Sequence, residues 1–184
     1  GYGDHSRDLI RSLIKMEKYE ISIFDQRWGE CPQNALTEKD IDISSRITKS
    51  KRLTMKPDIW IQVTVPNEFQ PLGIYNIGIT AGMETTSVSP EWIEGCNRMN
   101  MVIVPSEHSK RIFEKTTYDK YNEQTKQKVG ELKLNTKVEV LLEGLDTLIY
   151  NKNAKISGDL EEAMRAVKEE FCFLSVGHWL KGHY

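Results

Sequence analysis

Apolar and polar residues follow two different periods along the chain. Leu9, Ile10, Leu13 and Ile14 fall at i, i+1, i+4 and i+5 and make one stripe, with Arg7, Asp8, Arg11 and Lys15 facing out. That spacing predicts a helix directly after Gly1-Tyr2-Gly3, capped by Asp4 or Ser6. Residues 20–24 alternate and predict a strand. Ile59, Ile61, Val63 and Val65 alternate with Trp60, Gln62 and Thr64 and predict another, closed by Pro66-Asn67. Residues 74–79 predict the next. Ser89-Pro90-Glu91 opens a helix with a cap, a proline at the first helical position and an acid in the first turn; Trp92, Ile93 and Cys96 supply its buried face. Residues 101–104 form the continuous apolar run expected of a strand covered on both faces. Ser106 then caps a helix that contains Ile112 and Phe113.

The remaining segments carry weaker patterns. Residues 25–57 are polar and punctuated by Pro32 and Pro57, with a short helix over 36–47. Residues 117–135 are very polar and read as an exposed helical excursion or loop. Residues 138–142 predict a strand that Glu143-Gly144-Leu145-Asp146 ends. Residues 150–158 have the composition of a linker. Asp159-Leu160-Glu161-Glu162 has the form of a capping box before the stripe Leu160, Ala163, Met164 and Val167. Residues 171–176 predict a last strand. The alternation of strands and helices predicts an α/β fold, with a mainly parallel open sheet and helices on both faces. No internal repeat and no low-complexity tract interrupts it.

Composition narrows the partners. At 184 residues, with 39% hydrophobic and 28% charged residues, the chain can bury a substantial core. A net charge of -2 supplies no basic face, so nucleic acid is not a favoured partner. No apolar run approaches the roughly 18 residues of a membrane span. The N-terminus shows no basic region followed by an apolar one, which sets the expectation of a cytoplasmic protein. Cys31, Cys96 and Cys172 are odd in number, far apart and form no CxxC, which suits reduced thiols. His5, His108, His178 and His183 make no HxxxH or HxH pair, so no metal site is expected.

The candidate chemistry concentrates in residues 73–106. Twice in that stretch a strand ends in polar groups facing a helix start, the place where open α/β sheets bind ligands. Glu84 follows a strand by five residues, placed either to bind sugar hydroxyls or to cap the next helix. Thr85 and Thr86 are candidate contacts or turn formers. Ser106 is an N-cap, or a cap whose hydroxyl also faces the crevice. No His-Asp pair accompanies it, so it is not read as a nucleophile. Gly1, Tyr2 and Gly3 precede a helix, where a glycine loop can approach a phosphate; a plain tight turn is the alternative. The dinucleotide pattern GxGxxG fails because the sixth residue is Ser6. Glu143 and Asp146 either hold the linker or line a cleft. His178 and Lys181 follow the last strand, a place where charge can meet a phosphate.

In order, these pieces resemble the N-terminal half of a GT-B glycosyltransferase of the large retaining family of group 1 transferases (family 4). Gly1-Tyr2-Gly3 with Arg7 is similar to that family's opening glycine loop and first helix. Thr80-Ala81-Gly82-Met83-Glu84, Pro90 and Trp92 are similar to its "E, then P, then W" segment. Val102-Ile103-Val104-Pro105-Ser106 with Phe113 is similar to its strand ending in VPS. Val138-Glu139-Val140 with Glu143-Gly144-Leu145-Asp146 is similar to its linker entry, and Phe173-Leu174-Ser175-Val176 with Lys181-Gly182 to the first strand of its donor-binding domain.

The resemblance implies a Rossmann-like N-terminal glycosyltransferase domain over 1–150. Residues 151–184 would be the linker, helix and first strand of a donor-binding domain. It implies transfer of a sugar from a nucleotide-sugar to a glycan or other acceptor with retention, and with no metal or other cofactor. Gly1, Tyr2, Gly3, Glu84, Thr85 and Ser106 become the substrate and donor-phosphate residues. The family's catalytic E-x7-E cannot be assigned here. The family's first strand would precede Gly1 and most of its second domain would follow Tyr184. The chain is therefore expected to be a fragment of a hexosyl-type transferase, inactive alone, that self-associates through an open sheet edge. The rival readings are a non-catalytic Rossmann-like binding or scaffolding module and a nucleotide-dependent oxidoreductase. The failed GxGxxG weighs against the latter.

Overall fold

A computed structural model of the chain describes residues 1–26, 34–50, 52–82, 85–173 and 175. The elements run α1 (Tyr2–Lys15), α2 (Ile41–Ser44), β1 (Ile59–Val63), a 3-10 turn (Pro66–Glu68), β2 (Tyr75–Ile79), α3 (Pro90–Asn97) and β3 (Met101–Val104). After these come α4 (Glu107–Lys115), β4 (Thr117–Tyr121), β5 (Lys128–Lys133), β6 (Lys137–Val140) and α5 (Gly158–Arg165). They divide into two units, Gly1–Glu143 and Gly144–Tyr184.

In the first unit β1, β2, β3 and β6 form a parallel sheet in that order. Gln62, Gly78, Val102 and Val138 stand in register across it. The fold is thus α/β with a parallel, Rossmann-like central sheet. Because the strand order advances in one direction, right-handed crossovers all fall on one side. The side chains agree. Val102, Val104 and Val138 pack in one cluster with Phe69 after the 3-10 turn, Val88 before α3, Ile93 and Cys96 of α3, Met99, Phe113 of α4 and Leu132 of β5. Burying side chains of this kind contributes roughly 1.5–3 kcal/mol each. Trp92 stacks on Phe113 at 6.1 Å and 12°. Ile79 is also buried but lies one residue out of phase, so it faces the opposite side and stands outside that cluster.

Two close fits hold the crossovers down. The Gly95 Cα passes so near the 3-10 turn that a Cβ there would lie 1.8 Å from the Pro66 carbonyl oxygen. Arg98 then ties the same turn to α3, donating from Nε to the Phe69 carbonyl at 2.9 Å and from Nη2 to the Asn67 carbonyl at 2.8 Å. At the amino edge of the sheet Asn100 Oδ1 accepts from the Asn76 backbone N–H at 2.8 Å and from its Nδ2 at 3.1 Å.

Several expectations change. Residues 117–135 hold neither a helix nor a plain loop: β4 and β5 form an antiparallel hairpin. Its polarity hid it, since only Tyr118 and Leu132 turn inward. The exposed side carries a charge ladder, Lys128 Nζ to Asp119 at 2.6 Å and to Glu131 at 3.3 Å. The strand expected over 20–24 reduces to one bridge between Ile23 and Ile47. Ile23 N–H donates to Arg46 and its carbonyl accepts from Thr48 N–H, and no further pair extends the ladder. The helix expected over 36–47 is the single turn α2.

The second unit buries none of its described residues. Asp146 organises a turn, its carboxylate accepting from Leu148 N–H at 2.9 Å. α5 is capped by Ser157 rather than Asp159, because Ser157 Oγ accepts from Leu160 N–H at 3.4 Å. Residues 171–173 and 175 lie outside any strand, which corrects the last predicted strand there. Leu174 and Val176, like His178 and Lys181, fall outside the described residues.

Gly95→Ala forces α3 off the 3-10 turn and should cost about 3 kcal/mol, read as a lowered urea midpoint at constant slope. Gly130→Ala in the hairpin, where a Cβ meets nothing within 4 Å, should stay within about 0.5 kcal/mol of the parent. Burial pushes the Cys96 thiol up to about 12, so at pH 8 almost no thiolate forms there. Iodoacetamide should label exposed Cys172 and leave Cys96 intact in the folded chain, with peptide mapping as the readout and labelling of Cys96 only after urea unfolding.

Candidate functional site at the carboxyl end of the sheet

Parallel strands bring their carboxyl ends to one edge, and here β2 ends in Thr80-Ala81-Gly82, β3 in Pro105-Ser106, and β6 runs into residues 141–143. Backbone bonds extend the ladders past the strands: Thr80 N–H donates to Ile103 and Leu141 N–H to Val104. Thr80 is buried at 2% exposure. The first turn of α1 sits on this edge. Tyr2 Oη lies 3.0 Å from Thr80 Oγ1 and accepts from Ala81 N–H at 3.1 Å. The Tyr2–Thr80 contact joins two hydroxyls, each able to donate or to accept. Three residues further along α1, His5 Nδ1 lies 2.8 Å from Glu143 Oε1.

Gly82 makes the next join. Its φ of +78° is left-handed, and a Cβ there would lie 2.5 Å from Ser109 Oγ. Only glycine lets the loop after β2 come this near the first turn of α4. Ser106 caps α4: its Oγ accepts from Ser109 N–H at 3.1 Å and its hydroxyl donates to Ser109 Oγ at 3.1 Å. An amide-rich helix start therefore lies beside the β2 loop, a setting that favours anionic groups. The edge thus has a donor side at β3 and α4, and an acceptor side at Glu143.

α1 is held a second time, away from the site. Arg11 donates to Asp40 and its Nε lies 3.5 Å from Asp42. Asp40 also accepts from the Thr37 backbone N–H at 2.7 Å and from its hydroxyl at 2.8 Å. Those two bonds, then the Arg11 charge, hold its carboxyl below the usual range.

The residues expected from the sequence separate. Tyr2 and Ser106 stand on the edge. Gly1 and Gly3 do not form a loop with Tyr2, because α1 already starts at Tyr2; Gly1 supplies the carbonyl that accepts from His5 N–H, and Gly3 lies in the first helical turn. Thr85 is exposed and its hydroxyl donates to the Ser87 carbonyl at 2.9 Å, so it forms a turn. Glu84 lies outside the described residues. Pattern reading passed over Thr80 and the His5–Glu143 pairing. A threonine ending a strand has no spacing signature, and the other two residues are 138 apart. The available signal was a histidine in the first turn of a helix and an acid at the end of a buried strand.

Compared with protein-family models, curated proteins and solved structures, the chain matches none. Among the described residues no three His, Cys, Asp or Glu side chains converge as a metal would require, and no helix is long and apolar enough to cross a membrane.

Tyr2→Phe removes the partner of a buried threonine hydroxyl and of the Ala81 amide. It should cost about 1–2 kcal/mol and speed hydrogen exchange at Ala81 N–H while exchange in β3 stays as slow as in the parent.

Proposed function

We propose that this chain belongs to a glycosyltransferase that moves a sugar from a nucleotide-sugar to a hydroxyl-bearing acceptor, with Gly1–Glu143 as the N-terminal, Rossmann-like domain of a GT-B enzyme. The observation that carries the reading is the docking of α1's first turn on the carboxyl ends of β2 and β6, through Tyr2–Thr80–Ala81 and His5–Glu143. The ordered resemblance of Gly1-Tyr2-Gly3, Thr80-Ala81-Gly82, Val104-Pro105-Ser106 and Glu143-Gly144-Leu145-Asp146 supports it. In this reading the amides around Gly82 and the Ser106-capped helix start receive the donor pyrophosphate. Tyr2 faces the sugar and the acceptor, and Glu84 stays a candidate contact on the sequence alone. The acidic pair that completes catalysis in this reading belongs to a donor-binding domain. The reading requires no metal, places the enzyme in the cytoplasm and allows self-association along a sheet edge.

The test is a titration of the 15N-labelled chain with UDP-glucose, GDP-mannose and NAD. The amides of Ala81, Gly82 and residues 107–109 should move saturably with a sugar nucleotide and stay in place with NAD. Equal response to NAD would favour a dinucleotide enzyme, and silence to all three would overturn the proposal.

A further inference from the structure

The acceptor side of the edge contains chemistry that a donor phosphate does not use. His5 Nδ1 and Glu143 Oε1 are 2.8 Å apart, with the imidazole 21% and the carboxylate 58% exposed. An ionised carboxylate can only accept, so Nδ1 carries the proton in this contact. In the neutral ring that leaves a lone pair on Nε2. The His5 ring makes no other polar contact among the described residues, and the same holds for the Glu143 carboxylate. The pair is also fixed from behind. His5 sits one helical turn from Gly1, whose carbonyl accepts its N–H, and three residues beyond Tyr2, which the Thr80 and Ala81 bonds anchor. Glu143 stands three residues after the end of β6, and two after Leu141, whose N–H still bonds to the Val104 carbonyl.

Nε2 and the remaining carboxylate lone pairs are thus two acceptors without a partner among the described residues, in a pair that is partly exposed. The negative charge of Glu143 repels a phosphate. A cation lacks a third ligand among the described residues. A neutral hydroxyl-bearing molecule supplies what the pair lacks, namely O–H donors. We propose that His5 and Glu143 form a hydroxyl-binding dyad that holds a saccharide, with His5 Nε2 accepting from one hydroxyl and Glu143 both accepting from a second and holding the ring in the Nδ1–H tautomer. Assigning this saccharide as the acceptor rests on the glycosyltransferase reading; its binding to the dyad does not. Glu143 is a positioning residue for His5 as well as a contact.

The experiment observes the imidazole nitrogens of the 15N-labelled full chain by NMR, with His5→Gln identifying the His5 signals. Methyl α-mannoside and inorganic phosphate are added separately, with no nucleotide present. The Nδ1–H tautomer should dominate, and methyl α-mannoside should shift His5 Nε2 saturably while phosphate does not. Glu143→Gln, checked for unchanged helix content by circular dichroism, should lose the tautomer preference and bind the sugar about tenfold more weakly. An Nε2–H tautomer in the parent, no saturable sugar shift, a phosphate response in its place, or unchanged affinity in Glu143→Gln would each overturn the dyad. Because no nucleotide is used, failure here leaves the strand-end amide titration standing, and failure of that titration leaves a positive sugar response intact.

Discussion

Everything in the first unit depends on covering one face of a four-stranded parallel sheet. Parallel strands cannot be joined by tight turns, so each connection must cross over the sheet. With the strand order advancing in one direction, the 3-10 turn, α3, and α4 with its hairpin share the same side. Val102, in the middle of that side, is fully buried in the cluster that Phe69, Ile93, Phe113 and Leu132 share. The seal fixes the spacing of the crossovers, which is why α3 approaches Pro66 so closely that Gly95 has no room for a side chain. It also fixes which edge is chemically useful. Once β2, β3 and β6 are in register, their carboxyl ends fall together, and the polar residues that end them become neighbours.

The amide donors and the carboxylate acceptor on that edge come from different causes. The donor side is a consequence of helix geometry: α4 starts at Ser106, and the first turn of any helix leaves N–H groups without intrahelical partners. Gly82 brings the β2 loop against it. The acceptor side is a consequence of α1, an element that the sheet does not require for its core. His5 meets Glu143 only because Tyr2 fixes the first turn of α1 on the end of β2. One edge of a single unit therefore carries amide donors on one side and a carboxylate with an imidazole on the other.

The legible part of this fold was the part with a period. The alternation in β1, the apolar run of β3 and the Ser-Pro-Glu start of α3 all lie close to where the structure has them. The hairpin of β4 and β5 was illegible because an exposed two-stranded ribbon needs only one inward residue per strand, and Tyr118 and Leu132 are too sparse to show a period. The reverse error arose at residues 20–24, where Ile21 and Ile23 alternate with polar residues but find only one bridge partner, Ile47. Alternation records what a segment can bury, not whether a neighbour exists to pair with it. At the site, Ser106 was readable as a cap because capping is local. Tyr2–Thr80 and His5–Glu143 join residues far apart in sequence, and no local pattern encodes such a contact.

The attachment of α1 differs in kind from that of α3 and α4. α3 and α4 insert Ile93, Cys96 and Phe113 into the core, whereas α1 has no fully buried residue. Its apolar stripe, Leu9, Ile10, Leu13 and Ile14, is only half-buried, and polar contacts fix it at two points: Tyr2 and His5 at the first turn, and Arg11 with Asp40 and Asp42 further along. A neutral hydrogen bond contributes on the order of 1 kcal/mol net, and a partly exposed ion pair less than its geometry suggests. α1 is therefore held accurately but not strongly, and belongs with the elements that open locally before the sheet does. That combination suits the edge of a ligand site. The hydrogen bonds specify where Tyr2 and His5 stand when α1 is docked, and the small energy that docks it leaves the edge open to adjustment by whatever binds there.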